Sequence, residues 1–173
     1  QCDAVTGQFT LAPHLTRTWM SPMHKWWLAS SPDAKTNNGT RELIGGNMGF
    51  RRSVLERVPA FDPELGPGAL GFADDTLFGW QLSQAGFGIE YVPQARAVHQ
   101  LDVSRLRRKH WLNDAGKRGR TSAYLCYHWE HTEIRYPRLE WLSYWTRLRL
   151  RRILQPPPPV ETAELDAEAI IPL

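Results

Sequence analysis

The chain has 173 residues, 42% hydrophobic and 23% charged, with 21 basic and 18 acidic side chains and a formal net charge of +3. That composition can bury a core, which excludes a wholly disordered chain, and the length suits one domain or a large piece of a bigger one. The small charge excess does not by itself point to nucleic acid, despite a pI near 9.1. Cys2 and Cys126 lie too far apart for a CxxC metal site and too few for a disulfide scaffold, so a reducing compartment is expected.

Gln1 to Ala12 carry neither a basic leader nor a long apolar run, and the first residue is not Met, so a processed end or a fragment is expected. No run of about 18 apolar residues is present, so any membrane contact is expected to lie on the surface. Residues Asp3 to Ala12, rich in β-branched and aromatic types, predict a strand. Pro13 to Thr40, with Pro13, Pro22 and Pro32 and the pair Trp26-Trp27, reads as a long excursion of the kind that often carries function. Glu42 to Arg52 is apolar but broken by Gly45, Gly46 and Gly49, where the backbone turns or a ligand comes close. A short helix is predicted at Ser53 to Arg57, capped by Ser53.

Phe61 to Phe72 is turn-rich and leads into Ala73-Asp74-Asp75. Over Asp75 to Ala85 the apolar residues Phe78, Leu82 and Ala85 recur at helical spacing, and Gly86 stands where a C-terminal glycine belongs. Strands are predicted at Gly88 to Val92 and Ala95 to Gln100, separated by Pro93. Beyond His99 the chain turns basic and aromatic, with helices predicted within Ser104 to Arg118 and Leu139 to Leu154 and an apolar aromatic stretch from Thr121 to Trp129. Pro156 to Pro159 stop any helix, and the acidic tail from Val160 to Leu173 is expected to be a flexible end.

The chemistry is expected in the ordered set Gly45-Gly46-Asn47, Phe61-Asp62, Asp74-Asp75, Gly86 and His99. Two acids at a helix start can place one carboxylate in a cleft as a general base while the other caps the helix. A histidine ending a strand can offer a neutral ring nitrogen to a divalent metal. The same residues also admit a structural role: Asp74 as N-cap, Asp75 opposing the helix dipole, His99 closing a strand and Gly45-Gly46 forming a simple turn.

In this order the residues resemble the C-terminal half of a family 2 glycosyltransferase catalytic domain of the GT-A fold. The motifs are Gly46-Asn47 with Arg51-Arg52, Phe61-Asp62, the acidic pair Asp74-Asp75, Gly86, Tyr91-Val92-Pro93 with Ala95, and His99, covering roughly residues 42 to 100. The resemblance implies an α/β fold, a partial Rossmann-like GT-A domain with a mixed sheet over 1–102, followed by a basic helical extension over 103–154 and the tail 155–173. It implies an inverting transfer of sugar from a nucleotide-sugar donor to a hydroxyl of a glycan or lipid-linked acceptor, at the cytoplasmic face of a membrane or free in the cytoplasm. Asp75 corresponds to the catalytic base, Asp74 stands for the usual Glu, and Gly46, Asn47, Arg52, Trp80 and Gln81 fall on the substrate side. His99 matches a ligand of the divalent Mn²⁺ or Mg²⁺ carried by the donor diphosphate. The family's DxD motif and the nucleotide-binding half that bears it do not occur in this sequence, and Gln81 stands where Arg is common.

Two other classes compete with this reading. A non-catalytic remnant would keep the fold and bind partners only. A nucleic-acid binder would use Arg105, Arg107, Arg108, Lys109, Lys117, Arg118 and Arg120, but no helix-turn-helix, RRM or zinc pattern accompanies them, so no specific nucleic-acid partner is expected. The helix at Leu139 to Leu154, where Trp141, Tyr144 and Trp145 stand beside arginines, is expected either to lie on an anionic membrane or to pack its apolar stripe on the catalytic domain.

Overall fold

The computed structural model describes residues 2–28, 36–37, 40–133 and 135–154, and it divides between Arg105 and Leu106 into two compact units. The predicted tail after 155 and much of the excursion before Thr40 lie outside the described residues.

The first unit is mixed α/β. Strand β1 (Ala4–Leu11) is followed by a 3₁₀ turn at Pro13–Leu15 and helix α1 (Pro22–Trp27). Helix α1 opens on a reciprocal cap, in which the His24 N–H donates to Ser21 Oγ and the Ser21 N–H donates to His24 Nδ1. A two-residue ribbon, β2 (Thr36–Asn37) with β3 (Thr40–Arg41), precedes β4 (Met48–Phe50). After these come α2 (Asp74–Gln84) and β5 (Ile89–His99). The sheet order is β4-β1-β5, with β1 antiparallel to β4 and parallel to β5.

The two strands predicted on either side of Pro93 are one. Val92 pairs with Gly7 and Arg96 with Gln8, so Pro93–Ala95 are the extra residues of a bulge in β5. A proline lacks the N–H that a regular ladder needs, and a bulge tolerates it. The bulge is clamped from the side by Asn47, whose amide donates to Gln8 O at 2.9 Å and to Ala95 O at 2.8 Å. Gly7 lies directly beneath, and a Cβ there would collide with both Ala95 O and the Asn47 amide.

Burial along β1 changes parity at this point. Ala4 and Thr6 are buried on one phase, Gly7, Phe9 and Leu11 on the other. On the first face Ala4 joins Leu43, Val54, Val58, Phe78 and Leu82, flanked by Met48, Phe50, Phe87 and Ile89. Phe50, Phe61 and Phe78 form an aromatic triangle, with ring centroids 4.9 Å apart for Phe50–Phe78 and 4.8 Å for Phe61–Phe78. Burying Phe78 completely removes an apolar ring from water, worth about 1.5–3 kcal/mol.

Helix α2 ends in a Schellman motif, in which the Phe87 N–H donates to Leu82 O, the Gly86 N–H to Ser83 O, and Gly86 holds φ +82°. Arg57 adds a cation at that end, donating to Ala85 O while its guanidinium covers the Phe87 ring at 5.0 Å. The predicted helix at Ser53 is instead a 3₁₀ turn, Arg52–Glu56, with Arg51 at the cap position and no side-chain cap, so Ser53 lies inside it.

In the second unit α3 (Arg108–His128) is continuous through Gly116 and Gly119, joining the two segments read separately in the sequence. Trp111, Thr121 and Leu125 share its buried side, and the indole of Trp111 donates to Leu106 O at 2.9 Å. Helix α4 (Pro137–Leu154) starts on a proline, where a missing N–H costs nothing.

The bulge clamp yields a stability prediction. Asn47→Ala removes two hydrogen bonds and is expected to cost about 1–3 kcal/mol, and Gly7→Ala, by overpacking, about 1–3 kcal/mol or more. Urea unfolding followed by circular dichroism measures both, and a midpoint unchanged in both variants would contradict the clamp.

Candidate functional site

The acidic pair opens α2 after a tightly hydrogen-bonded loop. Asp62 Oδ1 accepts from the Glu64 N–H, the Leu65 N–H donates to Asp62 O, the Leu70 N–H to Glu64 O and the Gly71 N–H to Gly66 O. Phe61 anchors this loop on Phe78. The loop enters the helix through Ala73, which holds the left-handed conformation at φ 69° and is the N-cap residue without a side-chain cap. Asp74 is therefore the first helical residue and not the cap expected from the sequence. Its carboxylate lies against Gly66, where an added Cβ would stand 2.8 Å from Asp74 Cγ.

Asp75 points to a different neighbour. Its Oδ2 accepts the Gly45 N–H at 2.7 Å, and its Oδ1 accepts the Thr76 N–H at 2.7 Å and the Thr76 hydroxyl at 3.3 Å. Burial pushes the Asp75 carboxyl above the ordinary aspartate range. The Gly45 hydrogen bond opposes this rise, the charge of Asp74 adds to it, and the Thr76 bonds oppose it without cancelling it. A desolvated carboxylate at a helix N-terminus is chemically suited to accept a proton.

The turn that receives Asp75 also reaches the other end of the sheet. Gly46 packs on the edge of Phe9, so closely that a Cβ would lie 2.5 Å from Phe9 Cζ. The Phe9 ring stacks on His99, with centroids 5.0 Å apart and planes inclined by 26°. His99 Nδ1 lies 2.8 Å from Leu28 O, and because a carbonyl only accepts, Nδ1 is the donor. Gly45, Gly46 and Asn47 thus touch Asp75, Phe9 and the β5 bulge in turn, and Phe9 links them to His99.

Of the residues singled out in the sequence, the structure brings together Gly46, Asn47, Asp75 and, through Phe9, His99. Asn47 spends both amide hydrogens on backbone carbonyls, so its amide nitrogen is a brace. Gln81 is buried on α2 with Leu77, Phe78 and Leu82, and Trp80 is half-buried on the same helix. Arg52 is exposed in the 3₁₀ turn after β4. Phe9 and Leu28 are the residues that sequence reasoning missed. Their only sequence signal is position, an aromatic residue within the β-branched run of β1 and the C-cap residue that follows the short helix α1.

Among the described residues no three His, Cys, Asp or Glu side chains gather as a metal-ligand set. Of the residues expected to hold a metal, His99 could contribute one nitrogen. No protein-family model, no curated protein and no solved structure matches the chain.

The raised Asp75 carboxyl predicts a pH signature. Because its folded pKa exceeds the unfolded one, the stabilisation it contributes is complete below the unfolded value and is lost as pH rises through the folded value. The stability of the parent relative to Asp75→Asn is therefore expected to fall as pH rises from about 4 and then to level off. Thermal melts of both proteins across that range measure the difference. A flat difference, or one that grows with pH, would refute a desolvated Asp75.

Proposed function

We propose that the chain is the acceptor side of an inverting glycosyltransferase of the GT-A type, with Asp75 as its general base. The observation that carries this reading is the carboxylate itself: desolvated, at the start of α2, and fixed against the Gly45-Gly46 turn by one backbone N–H. In the step, Asp75 takes the proton of an acceptor hydroxyl as that oxygen attacks the anomeric carbon of a nucleotide sugar. The new carbon–oxygen bond forms on the face opposite the departing diphosphate, the bond to the diphosphate oxygen breaks, and configuration inverts. The acceptor is a glycan or lipid-linked hydroxyl.

The Gly45 hydrogen bond fixes the direction of the carboxylate, so that orientation is settled before substrate arrives. Asp74, on the loop side, places negative charge beside Asp75 and strengthens it as a base. A divalent Mn²⁺ or Mg²⁺ on the donor diphosphate would offset leaving-group charge. The described residues offer it at most His99.

A second reading has its own support. The hydrogen bond from the Gly45 N–H also makes Asp75 a strut between α2 and the Gly45 turn, its other oxygen being held by Thr76 of α2, and a GT-A-like remnant would keep that strut without chemistry.

The experiment that separates them follows nucleoside diphosphate release from a panel of nucleotide sugars by the complete natural gene product. Under the catalytic reading Asp75→Asn lowers kcat by about 10²–10⁴-fold with little change in donor KM, while Arg52→Gln at the exposed turn is milder. A loss smaller than tenfold in Asp75→Asn overturns Asp75 as base. No transfer by the parent protein on any donor favours the remnant.

A further inference from the structure

Helix α4 takes no part in the reading above, and its surface is the most unusual in the chain. Leu139, Trp141, Leu142, Tyr144, Trp145, Leu150, Ile153 and Leu154 are all exposed, Trp141 at 65% and Ile153 at 74%. A water-facing helix ordinarily buries apolar side chains in such number or replaces them with polar residues. The charge of the same helix is one-sided, with five arginines against the single acid Glu140. At helical spacing Glu140, Arg147 and Arg151 share one side, and Leu142, Trp145, Arg149 and Ile153 the opposite one. Trp141 stacks on Trp145 one turn away, with ring centroids 6.5 Å apart, and the Arg149 guanidinium lies 4.8 Å over the Trp145 ring.

We propose that α4 docks on an anionic lipid surface, lying in its plane. The tryptophans and aliphatic side chains sit at the boundary between headgroups and acyl chains, and the arginines meet headgroup phosphates. Three observations select this occupant. No helix among the described residues is long and apolar enough to cross a membrane, so a membrane contact by α4 would run along the surface. A protein partner covering Leu142, Trp145 and Ile153 would also bury Arg149 between them and strip its water, whereas at a lipid interface the long stem stays in the apolar layer and the charge reaches the headgroups. A nucleic acid would use the arginines and rings but has no use for Leu139, Leu142, Leu150, Ile153 and Leu154. The Arg149–Trp145 contact suits the interface too, since the ring face offsets part of the cost of carrying a cation into a drier layer. This proposal rests on α4 alone and stands independently of whether Asp75 transfers sugar.

Co-sedimentation of the full chain with phosphatidylcholine vesicles, with and without phosphatidylglycerol, tests it. Binding is expected only with phosphatidylglycerol, weakened by salt and accompanied by a blue shift of tryptophan emission. Two variants are compared, Trp141→Ser with Trp145→Ser, and Arg147→Gln with Arg149→Gln and Arg151→Gln. Each is expected to lower partitioning about tenfold or more while the far-ultraviolet circular dichroism measured with vesicles absent shows the rest of the chain folded. Equal binding to neutral vesicles, or parental binding by both variants, overturns the proposal. So does α4-dependent binding to random single-stranded RNA, or α4-dependent self-association, in the absence of vesicle binding.

Discussion

The first unit depends on the parallel pairing of β1 with β5 across a three-residue bulge. Parallel neighbours cannot be joined by a tight turn, so everything from Ala12 to Gly88 must be routed between them. The ladder is interrupted where Pro93 withholds a donor, and Ala95 O would be left over. Asn47 resolves this from outside the strand pair by supplying two N–H donors from one side chain, to Ala95 O and to Gln8 O. An amide is needed there because both partners are acceptors: aspartate would place charge against two carbonyls, and serine has a single hydrogen to donate.

Fixing Asn47 fixes the residues before it. The Asn47 N–H donates to Ile44 O, which closes the Gly45-Gly46 turn, and the Gly7 N–H donates to Asn47 O. The turn is then held with its amide toward α2, where Asp75 accepts it, and with its open glycine face on Phe9. One three-residue segment therefore couples the bulge, the helix start and the aromatic stack that ends in His99. The couplings are short and mutually dependent, so a change at Asn47 is felt at Asp75 through two intervening residues.

Local chemistry made some of this legible in the sequence. The β-branched run marked β1, and the apolar spacing with Gly86 marked α2 and its end, because those signals are short-range. The acidic pair and the Gly-Gly-Asn segment also stood out as residues of unusual type. What could not be read were relations spanning tens of residues. Asn47 meets Ala95 and His99 meets Leu28 across long stretches of chain, and neither leaves a periodic trace. Pro93 invited a break between two strands because a bulge is visible only once the partner strand is known. Ser53 and Asp74 looked like caps by residue type, yet Arg51 and Ala73 hold the cap positions, since the incoming loops decide where each helix starts. The excess of positive charge beyond His99 was visible in composition, but the exposure of α4's rings was not, because apolar residues on a helix are written identically whether a partner covers them or not.

Two demands meet at Asp75, and counting its acceptor sites shows that they are compatible. A carboxylate has roughly four lone-pair directions. Gly45, the Thr76 amide and the Thr76 hydroxyl take three among the described residues, and the proposed acceptor hydroxyl would take the fourth. The three bonds favour the ionised form, while burial and the neighbouring Asp74 disfavour it, and the balance leaves the pKa raised. The proposed role of Asp75 as a base rests on that balance. The Gly45 bond thus offsets part of the desolvation cost of placing this carboxylate at the start of α2, while Asp74, whose charge opposes ionisation of Asp75, itself stands in the first helical turn, where a negative charge is favourable.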